Sequence, residues 1–121
     1  MMVAMGSPGA IALVSSDLMF ASQVSTTMRN AGGSAVLVAG DAVPDVDVVF
    51  VDLNTAVEAR LALISRLRHD HPGLEIVGFC HHGERELRRR ARSSGATRVI
   101  NNGALQAVAL RLSGASIGDS Q

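Results

Sequence analysis

Apolar positions in this chain follow two alternating rhythms. Short runs rich in β-branched residues occur at 10–14, 35–39, 47–53, 74–80 and 97–100. Their length and composition predict strands. Between most of them the apolar positions recur at helical spacing. Leu18, Phe20, Ala21, Val24 and Met28 form one such side, with Ser22, Gln23, Ser25, Thr26 and Arg29 opposite. This helix runs to about Asn30, is capped by one of Ser15, Ser16 or Asp17, and is stopped by Gly32 and Gly33. A second helix, over 56–69, carries Val57, Leu61, Ile64 and Leu67 inward and Glu58, Arg60, Arg66 and Arg68 outward, with Asn54 or Thr55 as its cap. A third, over 84–94, leaves Leu87 and Ala91 to pack. A last one, over 104–112, turns Leu105, Val108 and Leu112 inward.

One connection breaks the alternation. Residues 40–47, with Asp41 and Pro44, are turn-like and short for a crossover between parallel strands, which normally holds a helix. At most one helical turn is expected there. One flank of the sheet is then thinly covered, which small side chains tolerate or a partner uses for docking.

The run Asp47-Val48-Val49-Phe50-Val51-Asp52-Leu53 organises the rest. A strand apolar on both faces belongs at the centre of a parallel sheet covered by helices. The expected fold is α/β: a flavodoxin-like, doubly wound, five-stranded parallel sheet of order 2-1-3-4-5, with the second crossover helix shortened or missing. The expected organisation is a flexible lead at 1–9, one domain at 10–112 and a flexible tail at 113–121. Ligands of such sheets bind at the carboxyl ends of the strands, where Asp52 falls.

Composition narrows the function classes. At 121 residues the chain is long enough for one core, and its formal charge is zero. Aromatics are only 2%, which argues against a base-stacking single-strand binder. The single Cys80 excludes an internal disulfide and suits a reducing compartment. Every basic side chain is Arg, so no chemistry within the chain uses a lysine ammonium. No signal-peptide pattern and no membrane-spanning run is visible, and a cytoplasmic protein is expected. The first loop, Ser15-Ser16-Asp17, lacks both a flavin phosphate cradle and a G-x-G-x-x-G turn, so no cofactor is expected.

Leu13-Val14, Val49-Phe50-Val51-Asp52-Leu53, Arg66-Leu67-Arg68, the strand ending at Cys80 and Ser94-Gly95-Ala96 follow one another at a familiar spacing. In these features the chain, from about 10 to 112, resembles the receiver domain of bacterial two-component response regulators. A working receiver holds a divalent cation with two acidic residues and phosphorylates an aspartate. A Ser or Thr and a Lys then bind the phosphoryl oxygens. The resemblance implies that Asp52 is the phosphoacceptor equivalent. Ser15 and Ser16 stand where the acidic pair belongs, with Asp17 one place on. Cys80 takes the place of the hydroxyl residue, and Asn102 (or Asn101) that of the lysine. Hydroxyls are poor Mg²⁺ ligands, and an amide carries no charge.

The expectation is a degenerate pseudo-receiver: a stand-alone signalling module, not an enzyme, acting by phosphorylation-independent protein–protein interaction. Two rivals are a phospho-accepting regulator using Asp52 and a small metal-binding protein using Cys80 and His81, beside His82. Arg85, Arg88, Arg89, Arg92 and Arg98 form the expected partner surface, for a protein or for a second copy in a homodimer. Nucleic acid is the weaker partner, since no DNA-binding motif is present.

Overall fold

The computed structural model describes residues 10–112, so the expected lead and tail lie outside the described residues. Each apolar run becomes a strand: β1 Ala10–Val14, β2 Ser34–Val38, β3 Val48–Asp52, β4 Glu75–Cys80 and β5 Arg98–Asn101. The helical stretches become α1 Leu18–Asn30, α2 Val57–Asp70, α3 Arg85–Ser94 and α4 Leu105–Leu112, the last preceded by a single 3₁₀ turn at Asn102–Ala104. All strand pairs are parallel, and the order is β2-β1-β3-β4-β5, as expected.

Alternation along the strands builds two apolar layers. Ile11, Leu13, Phe50, Val77 and Phe79 pack against Ala21, Val24 and Met28 of α1 and Leu105, Val108 and Ala109 of α4. Ala12, Val14, Val49, Val51, Ile76 and Val99 pack against Leu61, Ile64 and Leu67 of α2 and Ala91 of α3. β3, at the centre, is buried throughout.

No helix lies between β2 and β3. β2 is consequently the least covered strand, and its Val36 and Leu37 stay 43% and 40% exposed. The shortened crossover thus leaves open space beside α2.

Several side chains depart from the expected helical faces. Leu18, placed on the apolar side of α1, is 65% exposed at the first turn of the helix. Asp17 is the residue that caps α1, accepting from the Phe20 amide at 3.0 Å. Neither Asn54 nor Thr55 caps α2; its preceding residue is Ala56, in the left-handed region at φ 51°. Arg60 and Arg68, placed outward, both turn back to the protein. Arg68 donates to Gly95 O at 3.0 Å, Pro72 O at 2.8 Å and Thr97 Oγ1 at 3.0 Å, bracing α2 against the approach to β5.

Gly95 makes that brace feasible. It ends α3 at φ 127°, and a Cβ there would meet Arg68 Cβ at 2.7 Å. Gly95→Ala is therefore expected to destabilise by about 2 kcal/mol, from backbone strain and the displaced Arg68. Gly73→Ala, with nothing within 4 Å, should stay within about 0.5 kcal/mol of wild type. Urea unfolding of both variants checks the difference.

Candidate functional site at the strand ends

Because neighbouring residues of an extended chain face opposite ways, Ser15 and Ser16 part company after β1. Ser15 turns to the α1/α4 side, where Asp52 also points. Its hydroxyl donates to Asp52 Oδ2 at 2.7 Å and accepts the Asp17 amide at 3.1 Å. The other carboxylate oxygen, Oδ1, accepts the backbone N–H and the Nδ2 of Asn54, both at 2.8 Å. Asn54 thus turns its donors to Asp52, and its Oδ1, the atom that would cap α2, faces Asn102 instead. Asp52 is 4% exposed and Ser15 2%.

The network continues outward through neutral groups. Asn54 Nδ2 also donates to Asn102 Oδ1 at 3.0 Å, and Asn102 Nδ2 lies 3.3 Å from Asn54 Oδ1 and from His81 Nδ1. A shallow cavity of about 490 Å³ opens above, lined by Ser16, Asp17, Phe20, Asp52, Asn54, Thr55, His81 and Asn102. Of the residues singled out from the sequence, Asp52, Ser16, Asp17, His81 and Asn102 line this cavity, and Ser15 binds Asp52 from beneath. Cys80 does not line it. Asp52 pairs with Phe79 across the sheet, so Cys80 falls on the opposite face, 1% exposed in the α2/α3 core. Burial there pushes its thiol above the usual range, against a smaller opposing pull from Arg88. Cys80 and His81 therefore do not converge. Among the described residues no three His, Cys, Asp or Glu side chains gather as a metal site.

Sequence reasoning missed the cation of this region. Arg60 is 5% exposed, and its guanidinium reaches up between the ends of β1 and β3. Nη1 donates to Val14 O at 3.2 Å and Asp52 O at 3.1 Å, and Nη2 donates to Ser16 Oγ at 2.9 Å. Position 60 lies three residues after Val57 and four before Ile64, on the flank of the apolar stripe. The stem follows that stripe while the charged head emerges at the strand ends. That spacing was the available signal.

The arginines of α3 and β5 also divide. Arg88 donates to Val99 O at 3.1 Å and to Asn101 Oδ1, and Arg98 bonds Glu75 at 2.8 Å; both are half-buried. Arg89 bonds Glu86, and Arg90 bonds Glu58 at 2.8 Å. Arg85, Arg89 and Arg92 remain exposed on the helix.

Comparison with known proteins gives a fold without a sequence family. No family model matches the chain, and no curated protein is similar to it. Solved structures do match. The receiver domain of NtrX from Brucella abortus superposes with a TM-score of 0.72 at 18% identity, over 91% of this chain and 99% of that one. A CheY-like receiver domain protein from Methanospirillum hungatei JF-1 gives 0.73 at 13% identity, over 91% and 98%. The receiver domain of the Saccharomyces cerevisiae response regulator Ssk1, solved with the histidine phosphotransfer signaling protein Ypd1, gives 0.72 at 13% identity, over 88% and 87%. The chain has the fold of these receiver domains.

Proposed function

We propose that this domain is a signalling module of receiver type that works by binding another protein without being phosphorylated. One observation carries the reading: both oxygens of Asp52 are committed to neutral donors of the chain itself. A phosphoacceptor needs an accessible oxygen and cations to offset the incoming charge. The surrounding groups do not fit a divalent cation. Ser15 gives its proton to Asp52, Ser16 takes one from Arg60, and the Asp17 carboxylate caps α1. Asn102, at the lysine place, offers an amide bound to Asn54. The remaining cation, Arg60, bonds the main-chain oxygen of Asp52.

The message then lies in surface and shape. The exposed Arg85, Arg89 and Arg92 form a face suited to an acidic protein surface, in a partner or in a second copy of this chain. Beryllofluoride, which mimics a bound phosphoryl group, tests the reading. With Mg²⁺ and beryllofluoride added, the amide spectrum of residues around Asp52 should not change. Saturable shifts at Ser15, Asn54 and Asn102 would contradict it.

A further inference from the structure

The absent crossover helix leaves a cleft with no counterpart in the Asp52 cavity. It lies on the opposite, α2 side of the sheet and measures about 640 Å³. Its walls are Ala39, Gly40 and Asp41 of the loop after β2, and its floor is built by Ala56, Ala59, Ala62 and Leu63. Ser16, Arg60 and Arg66 complete it. The floor is apolar and made mostly of small side chains, while both charges that line α2 here are positive.

Arg60 is the telling residue. A guanidinium has five N–H donors, and three are used, on Val14 O, Asp52 O and Ser16 Oγ. Nε and one Nη2 proton have no acceptor. Among the described residues no fully buried side-chain nitrogen lacks a partner, so the unpartnered Nε is not sealed in. Arg60 lines the cleft and no other described cavity, which is where Nε meets open space. No carboxylate bonds this cation, although buried charges are ordinarily paired. At the mouth, Arg66 holds Asp41 weakly: Nη1 is 3.4 Å from Asp41 Oδ2, both side chains are largely exposed, and Nη2 donates to Asp41 O at 2.7 Å.

We propose that this cleft binds a small oxyanion carried on an apolar body, such as a short-chain carboxylate. The anionic oxygens take the two spare donors of Arg60, and the body lies on Ala59, Ala62 and Leu63. Arg66 leaves Asp41 and closes over the ligand. Because Arg60 also bonds Ser16 and Asp52 O, occupancy would be felt at the ends of β1 and β3. Such a ligand is an input that needs no phosphoryl group. The assignment stands apart from the reading of Asp52 and survives if that reading fails.

The test is an amide-spectrum titration of the full chain with hexanoate, with acetate and with inorganic phosphate at constant ionic strength. Hexanoate should give saturable shifts at Ser16, Gly40, Asp41 and Ala59, and acetate and phosphate should bind more weakly for want of apolar contact. Arg60→Gln should weaken hexanoate about tenfold or more. Asp41→Ala, which removes the carboxylate beside Arg66 and leaves only the main-chain bond to residue 41, should tighten it several-fold. Ala59→Leu fills the floor from an exposed helix position, leaves the fold intact and should abolish saturation even if Arg60→Gln unfolds the chain. Unsaturable drift with all three anions would overturn the proposal, as would an Ala59→Leu variant that binds like wild type. Equal affinity for phosphate and hexanoate would overturn it too, since it removes the apolar floor from the account.

Discussion

Arg60→Met is expected to lower stability by about 3 kcal/mol, which for a domain of this size lowers Tm by about 12 °C. Methionine keeps most of the apolar stem and removes the charge. Val14 O, Asp52 O and Ser16 Oγ then lose a charged donor at the point where β1 and β3 end. Each unsatisfied buried acceptor costs about 1–3 kcal/mol, softened where water enters from the cleft. Arg66→Met supplies the contrast on the same helix. Its partner Asp41 is exposed, so the loss should be under about 1 kcal/mol. Calorimetry of the two variants separates a brace from a surface charge. Similar small losses in both would mean that Arg60 bears no structural load.

The second large effect belongs to Asp52. Asp52→Ala should cost about 3 kcal/mol, because the Ser15 hydroxyl and both Asn54 donors lose a buried acceptor together. Asp52→Asn should cost no more than about 1 kcal/mol. The amide oxygen keeps the Asn54 bonds, and the Ser15 hydroxyl rotates to accept from the new NH₂ group. A carboxylate held in reserve for chemistry behaves otherwise, since removing it commonly relieves strain or repulsion. Denaturant melts of the two variants check the ordering. An alanine variant as stable as wild type would show Asp52 to be no hub of the loop network.

Much of the architecture could be read from the chain. Five β-branched runs separated by helical stripes admit few arrangements once crossovers must be right-handed. The missing helix was visible because the stretch between Val38 and Val48 is too short to hold one along with its turns. Helix ends were less legible. Asn54 looked like a cap from its neighbours, but Asp52 two residues back orients its amide, and its Oδ1 faces Asn102. Leu18 looked like core from its spacing, yet it stands at the first turn of α1, beyond the sheet that would cover it.

The site was half legible. That Asp52 ends the central strand follows from pattern alone. Which way each neighbour turns depends on strand register, which hydropathy does not report. Register sends Ser15 to Asp52 and Ser16 to Arg60, and it sends Cys80 into the opposite core while His81 reaches the cavity. The charge of Arg60 masked its position on the apolar stripe, and Arg68 was masked in the same way. Arg88 on α3 and Arg98 on β5 looked like surface, yet short reaches to Val99 O and Glu75 draw them in. What remains for a partner is Arg85, Arg89 and Arg92.

We propose that the aspartate at the end of β3 serves the fold and not phosphoryl transfer. Intact mass spectrometry after incubation with acetyl phosphate and Mg²⁺ tests it most directly. The mass should stay unchanged. A species heavier by about 80 Da, present in wild type and lost in Asp52→Asn, would contradict it.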